Sequence, residues 1–159
     1  MEKNTTHSNN NPYPKFALIM AISFVVMYLV MFLNAAEFSH IHNSLTRFYM
    51  TTLMIAIMAI TMLLLMWKMY PNLKVNAFIL LFAATTFGGT LFLLRTQAFV
   101  SDIQYMKAMI PHHSSAIMTS SNVDFKDPEV KKLAEDIIVA QEKEIKQMND
   151  MINRLESEK

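Results

Sequence analysis

The stretch "FALIMAISFVVMYLVMFLN", residues 16–34, carries no charged side chain across 19 positions. Wound as a helix, roughly 20 such residues cross the hydrocarbon core of a bilayer. The run is too long for the apolar centre of a cleaved signal peptide, and "NAAEF" (34–38) is a weak cleavage site. It therefore reads as a retained membrane span. Two more uncharged runs follow, "FYMTTLMIAIMAITMLLLMW" (48–67) and "VNAFILLFAATTFGGTLFLL" (75–94). The connection "KMYPNLK" (68–74) is a tight turn marked by Pro71. Residues 16–95 thus form a three-span membrane domain whose partner is the lipid bilayer. Ahead of it, "MEKNTTHSNNNPYPK" (1–15) is polar, holds two prolines and reads as a disordered lead-in.

Three spans place the N-terminus and the 68–74 turn on one side. That side carries Lys3, Lys15, Lys68 and Lys74, and the opposite side carries Arg47 and Arg95. Excess positive charge marks the cytoplasmic face. The N-terminus is expected inside, at a bacterial cytoplasmic membrane, and residues 96–159 outside it. Trp67, Tyr70, Tyr28 and Tyr49 are candidate interface anchors, and Gly88-Gly89 reads as a point of close helix approach.

The chain changes character after the third span. Residues 1–100 hold six Lys/Arg and two Asp/Glu, whereas 101–159 hold eight and eleven. A net charge of +1 gives no reason to expect nucleic acid as a partner. With no cysteine, disulfides and thiolate metal sites are excluded. Sulfur enters only through 15 methionines, and thioethers favour copper(I) over zinc.

Residues 96–159 read as a helical hairpin. The first helix, from about 96 to 120, either continues the third span or restarts at the capping box "SDIQ" (101–104). Pro111 should kink it. The second helix starts with Asp127 as N-cap and Pro128 as first residue. It runs to about Leu155, with Val130, Leu133, Ile137, Ile138, Gln141, Ile145, Met148, Ile152 and Leu155 on one face. A short loop joins the two antiparallel. The fold class is all-α: three transmembrane helices, then a two-helix antiparallel hairpin. Two helices alone bury little surface, so the membrane half or a second copy of the chain should cover them.

Chemistry concentrates in "YMKAMIPHHSSAIMTS" (105–120). His113 shares a helical face with Met106 and Met109, and His112 stands about 100° away. Thioether plus imidazole suits a soft monovalent metal. The same residues also read as core methionines with two polar groups near a helix end. Folding the hairpin about residue 124 sets Met109 opposite Ala140–Gln141 and Met106 opposite Lys143–Glu144. Gln141 and Glu144 would then complete a shell or hold the imidazoles, with Met148 and Met151 further down. In the outer loop, Glu37 and His40 show a Glu-x-x-His spacing, with His42 nearby. One such motif is too few for a paired-metal bundle, although a link from His40 and His42 to Met148 and Met151 is geometrically open. Met50, Met54, Met58, Met62 and Met66 form a slowly winding stripe along the second span. It reads either as gap-filling apolar packing or as a path for a soft cation. No nucleophilic triad or phosphate loop is visible, and no acid/base pair beyond Glu37-His40 is arranged for turnover, so the chain is not expected to be an enzyme.

The segments "MKAMIPHHSSAI" (106–117), "DPEVKKLAEDII" (127–138) and "QEKEIKQM" (141–148) resemble the bacterial domain-of-unknown-function family numbered 305, which includes CopM-like copper-binding proteins. The "RFYM" run at Arg47–Met50 is similar to the form with three N-terminal spans. The resemblance implies a ferritin-like helical domain outside the cytoplasm, periplasmic in bacteria, that binds copper(I) or silver(I). It implies Met106, Met109, His112, His113 and Met148 as ligands. Ser114-Ser115 replaces a glycine common in that family, and the hairpin has two helices where soluble members often have four. A homodimer would complete a four-helix bundle. The expected role is metal buffering, delivery or tolerance; a small soft-metal transporter or transporter subunit is the alternative.

Overall fold

The computed structural model describes residues 11–158. Most of the polar lead-in, residues 1–10, lies outside the described residues. Five α-helices follow: α1 Tyr13–Val30, α2 Leu45–Leu65, α3 Leu73–Thr96, α4 Asp102–Asn122 and α5 Pro128–Ser157. No strand occurs among the described residues. The first span starts three residues before its uncharged run: Tyr13, Pro14 and Lys15 are already helical, not disordered. Pro14 is tolerated there because a first-turn N–H has no intrahelical acceptor to lose.

α1, α2 and α3 are each long and apolar enough to cross a membrane. α2 is central, packing against α3, α1 and the start of α4. Leu63 is fully buried there, in a cluster with Phe16, Ala59, Tyr70 and Ala83. A polar knot locks the end of the bundle where the α2–α3 turn lies. Asn76 is fully buried; its amide donates to Tyr70 O at 2.8 Å and its Oδ1 lies 2.8 Å from the Tyr13 hydroxyl. Low dielectric strengthens such a network once every member is satisfied.

Two expected anchors have a different role. Tyr70 and Tyr49 are buried. Tyr70 packs its ring on Tyr13 and Phe16, and the Tyr49 hydroxyl donates to Ala98 O at 2.9 Å. These phenols tie protein to protein at the span ends. Gly88 and Gly89 do not mediate close helix approach either: a Cβ on either would meet nothing within 4 Å. α3 packs chiefly against α2, and both glycines lie on its exposed side.

The third span and the first tail helix are separate rods. α3 ends at Thr96, and Gln97 and Phe99 adopt left-handed backbone with φ of 50° and 63°. The Ser101 hydroxyl then caps α4, accepting from Gln104 N at 3.4 Å. α4 runs through Pro111 to Asn122 as one element. At α5, Asp127 Oδ1 accepts from Glu129 N and Val130 N at 2.8 and 3.1 Å, with Pro128 first in the helix.

α4 and α5 bury Met106, Ile110, Ile117, Ile145 and Ile152 between them, with Ile138, Met148 and Leu155 at the margin. Val130 and Leu133, expected on the buried stripe, are 47% and 59% exposed. α4 ends at Asn122, so little helix remains to cover the first turns of α5. The hairpin's other cover is the adjoining end of the membrane half, including the loop before α2.

Candidate metal centre

His113 is the chemical centre of the hairpin. It sits mid-helix in α4 on the face that meets α5, and it is 9% exposed. Its Nε2 lies 2.6 Å from Glu144 Oε2 of α5. Glu144 has no proton to give when ionised, so Nε2 carries the N–H and donates it. In the neutral ring Nδ1 is then the bare lone pair, and it is buried with no hydrogen-bond partner. A ring whose far nitrogen is held by a carboxylate while the near one is free is the arrangement of a metal-ligating histidine. Met106 (buried) and Met148 (half-buried) belong to the apolar cluster that α4 and α5 bury along the seam. The seam therefore offers an unpaired imidazole nitrogen and two thioethers, a donor set that suits a soft cation.

The five expected ligands are not gathered at one point. Met106, His113 and Met148 lie in the seam. Met109 and the exposed His112 instead line a cleft on the membrane side, with Met31 and Met50. The two imidazole centroids are 6.1 Å apart. Adjacent helical residues diverge by about 100°, and Pro111 does not bring these two together.

The hairpin register differs from the simple fold-back about residue 124. Contacts at His113–Glu144 and Lys107–Glu156 (2.7 Å) set α5 further along than expected. Helical side chains lean towards their own N-terminus. In antiparallel helices the two leans are opposed, so tips meet between residues whose Cα atoms are not level. Glu144 thus faces His113, not Met106, and by the same register Met148 comes closer to the level of Ile110. Gln141 is half-buried and forms no hydrogen bond with the site among the described residues. Met151 is 48% exposed, beside Gln147, Asp150 and Arg154, away from the seam.

The loop before α2 docks on α4 chiefly through Ser114 and Ser115, which the sequence marked only as a departure from the family pattern. Ser114, fully buried, accepts from Ala36 N at 2.8 Å and lies 2.9 Å from His40 Nδ1. The second lone pair or the proton of the Ser114 hydroxyl serves His40, according to the ring's tautomer. Nε2 faces Glu37 Oε2 at 3.7 Å. Asn34 Nδ2 donates to Ser115 Oγ at 3.0 Å, and Leu45 N to Gln104 Oε1 at 2.9 Å. Ser114 and Ser115 therefore hold the loop to the hairpin, and no spacing rule would have revealed this. His42 lies in the same junction with Nε2 buried and unpaired. Burial first, then the positive charge of Lys107 and the nearby His40, hold its pKa below the usual histidine value, against an opposing pull from Glu156. Among the described residues no three His, Cys, Asp or Glu side chains cluster as a metal site, so Glu37, His40 and His42 do not form one by themselves.

The methionine stripe of α2 changes surroundings along its length. Met50 and Met54 are exposed, whereas Met62 and Met66 pack on the bundle core.

Comparison with known proteins fits this division. The family model described as "Domain of unknown function (DUF305)" matches residues 93–158, which is α4, α5 and the end of α3. The "Uncharacterized protein L153" of Acanthamoeba polyphaga mimivirus is 38% identical over 139 residues, covering 86% of this chain and 90% of that protein. The likeness therefore spans the membrane half as well as the hairpin, and it reaches a viral protein. No solved structure matches the chain. A hairpin of matching sequence, carried on a membrane half that the viral relative shares, makes this chain a member of the DUF305 family.

Proposed function

We propose that the chain is a membrane-anchored metal-binding protein whose hairpin, outside the cytoplasm, holds copper(I), and silver(I) second, in the α4–α5 seam. Its role is buffering, delivery or tolerance, with no reaction turned over, as in CopM-like copper-binding proteins. The observation that carries this reading is His113: Glu144 holds one ring nitrogen and the other is buried and unpaired. A buried polar atom without a partner is costly, and a metal would satisfy it. Met106 and Met148 supply soft donors along the same α4–α5 seam. Glu144 would orient the ring and raise its basicity.

The test is an anaerobic copper(I) titration of the full chain in detergent against a chromophoric chelator. His113→Ala should weaken binding by at least about tenfold, the range for loss of a strong contact, whereas His112→Ala should change it little. Replacing Met54, Met58 and Met62 together by Leu should leave binding intact, because the volumes are similar. Unchanged affinity in His113→Ala would refute the seam site. If the triple Leu variant lost metal uptake into vesicles, the transporter reading would replace this one.

A further inference from the structure

The outer ends of α1, α2 and α4 enclose a cleft of about 420 Å³. Met31, Met50 and Met109 form its apolar wall, and Thr46, Arg47 and His112 its polar one. No carboxylate lines it. Arg47 is only 9% exposed, and its Nη1 is buried with no hydrogen-bond partner. Among the described residues its guanidinium forms no ion pair, and it rests on the face of Phe32, 4.0 Å from the ring centroid. Breaking a buried ion pair is costly because a lone charge remains, and this guanidinium stands in that state.

The start of α2 adds to the same field. Leu45 N is taken by Gln104 Oε1 at 2.9 Å and Arg47 N by Ser44 Oγ at 3.3 Å. The Thr46 N–H between them has no acceptor among the described residues. First-turn N–H groups and the helix dipole favour an anion. A guanidinium forks onto phosphate oxygens in a way an ammonium cannot. The apolar wall continues along the outside of α2, where Met50 and Met54 are 44% and 39% exposed.

We infer that this cleft binds a phosphate-class oxyanion through Arg47, and that the oxyanion is the headgroup of an acidic membrane lipid whose carbon chain runs down the methionine-lined side of α2. The inference is independent of the metal reading. It also separates Met109 and His112 from the metal, since a buried guanidinium repels a cation in its own cleft.

The test uses the full chain in uncharged detergent, following thermal unfolding with added phosphatidylglycerol, phosphatidylcholine or inorganic phosphate. Phosphatidylglycerol should raise the midpoint most. Arg47→Gln and Ala108→Phe, the latter filling the cleft but leaving Arg47, should each weaken that response by at least about tenfold, as expected for a lost charge-assisted contact. Arg47→Lys should keep part of it. Should Arg47→Gln not fold, Ala108→Phe decides alone. Equal stabilisation by inorganic phosphate, lost in the variants, would support the oxyanion site and overturn the lipid assignment. A phosphatidylglycerol effect undiminished in Ala108→Phe, or matched by phosphatidylcholine, would overturn the proposal.

Discussion

At the scale of single residues, the hairpin depends on how each imidazole nitrogen is occupied. His113 has one nitrogen engaged and one free; His40 has Nδ1 engaged by Ser114. His42 is a titrating group in its own right. Its pKa lies below the ordinary histidine value because burial disfavours the cation. A depressed histidine contributes stability that is full above its unfolded pKa and lost as pH falls towards the folded one. The unfolding midpoint of the full chain should therefore drop as pH is lowered from about 7.5 to about 5, starting near the histidine value of about 6.5. His42→Gln should show a shallower drop; an identical profile would mean that His42 does not couple to folding. The residue types in the seam were legible in advance: spacing put Met106 and His113 on one helical face, and the family resemblance implied Met148. Their partition was not. Which side of α4 faces α5 depends on long-range packing, and Arg47 and Ser114 became informative only when their missing or unexpected partners could be seen.

At the scale of elements, local signals were the most readable. Asp127 and Pro128 announce the start of α5, and the Ser101 cap settles whether α3 and α4 are one rod. Both rest on chemistry within four residues. Asp127→Ala should lower stability by about 1 kcal/mol, the usual worth of a side-chain cap, while Asp127→Asn should lose little. Thermal unfolding in detergent measures both, and equal losses would mean that charge near the helix dipole matters more than the cap. The hairpin register was harder. Counting residues back from a loop takes side chains to lie level with their own Cα atoms, but helical side chains lean. The pairs His113–Glu144 and Lys107–Glu156 show the offset. Gly88 and Gly89 mislead in the same way, because a small residue reveals close approach only when its neighbour is known.

At the scale of the whole molecule, three apolar runs announced three helices that could span a bilayer, and the structure forms all three. Their outer surface suits lipid: Leu18, Ile22, Val25 and Leu29 of α1 and Phe78, Leu81 and Phe82 of α3 are all more than half exposed. So large an apolar surface is not one that a water-soluble monomer presents. The cover for a two-helix hairpin comes from the loop before α2 and the start of α2. Orientation rests on lysine placement, and it can be checked because the chain has no cysteine. In intact cells a membrane-impermeant maleimide should label Lys126→Cys in the α4–α5 loop and spare Lys74→Cys at the start of α3. The reverse pattern would place the hairpin in the cytoplasm.

The most direct test of the metal centre is X-ray absorption at the copper edge on the full chain loaded anaerobically with one copper(I). The seam predicts a mixed shell of sulfur with one imidazole nitrogen, and loss of that nitrogen in His113→Ala but not in His112→Ala. A shell without imidazole, or one that His113→Ala leaves unchanged, would contradict it.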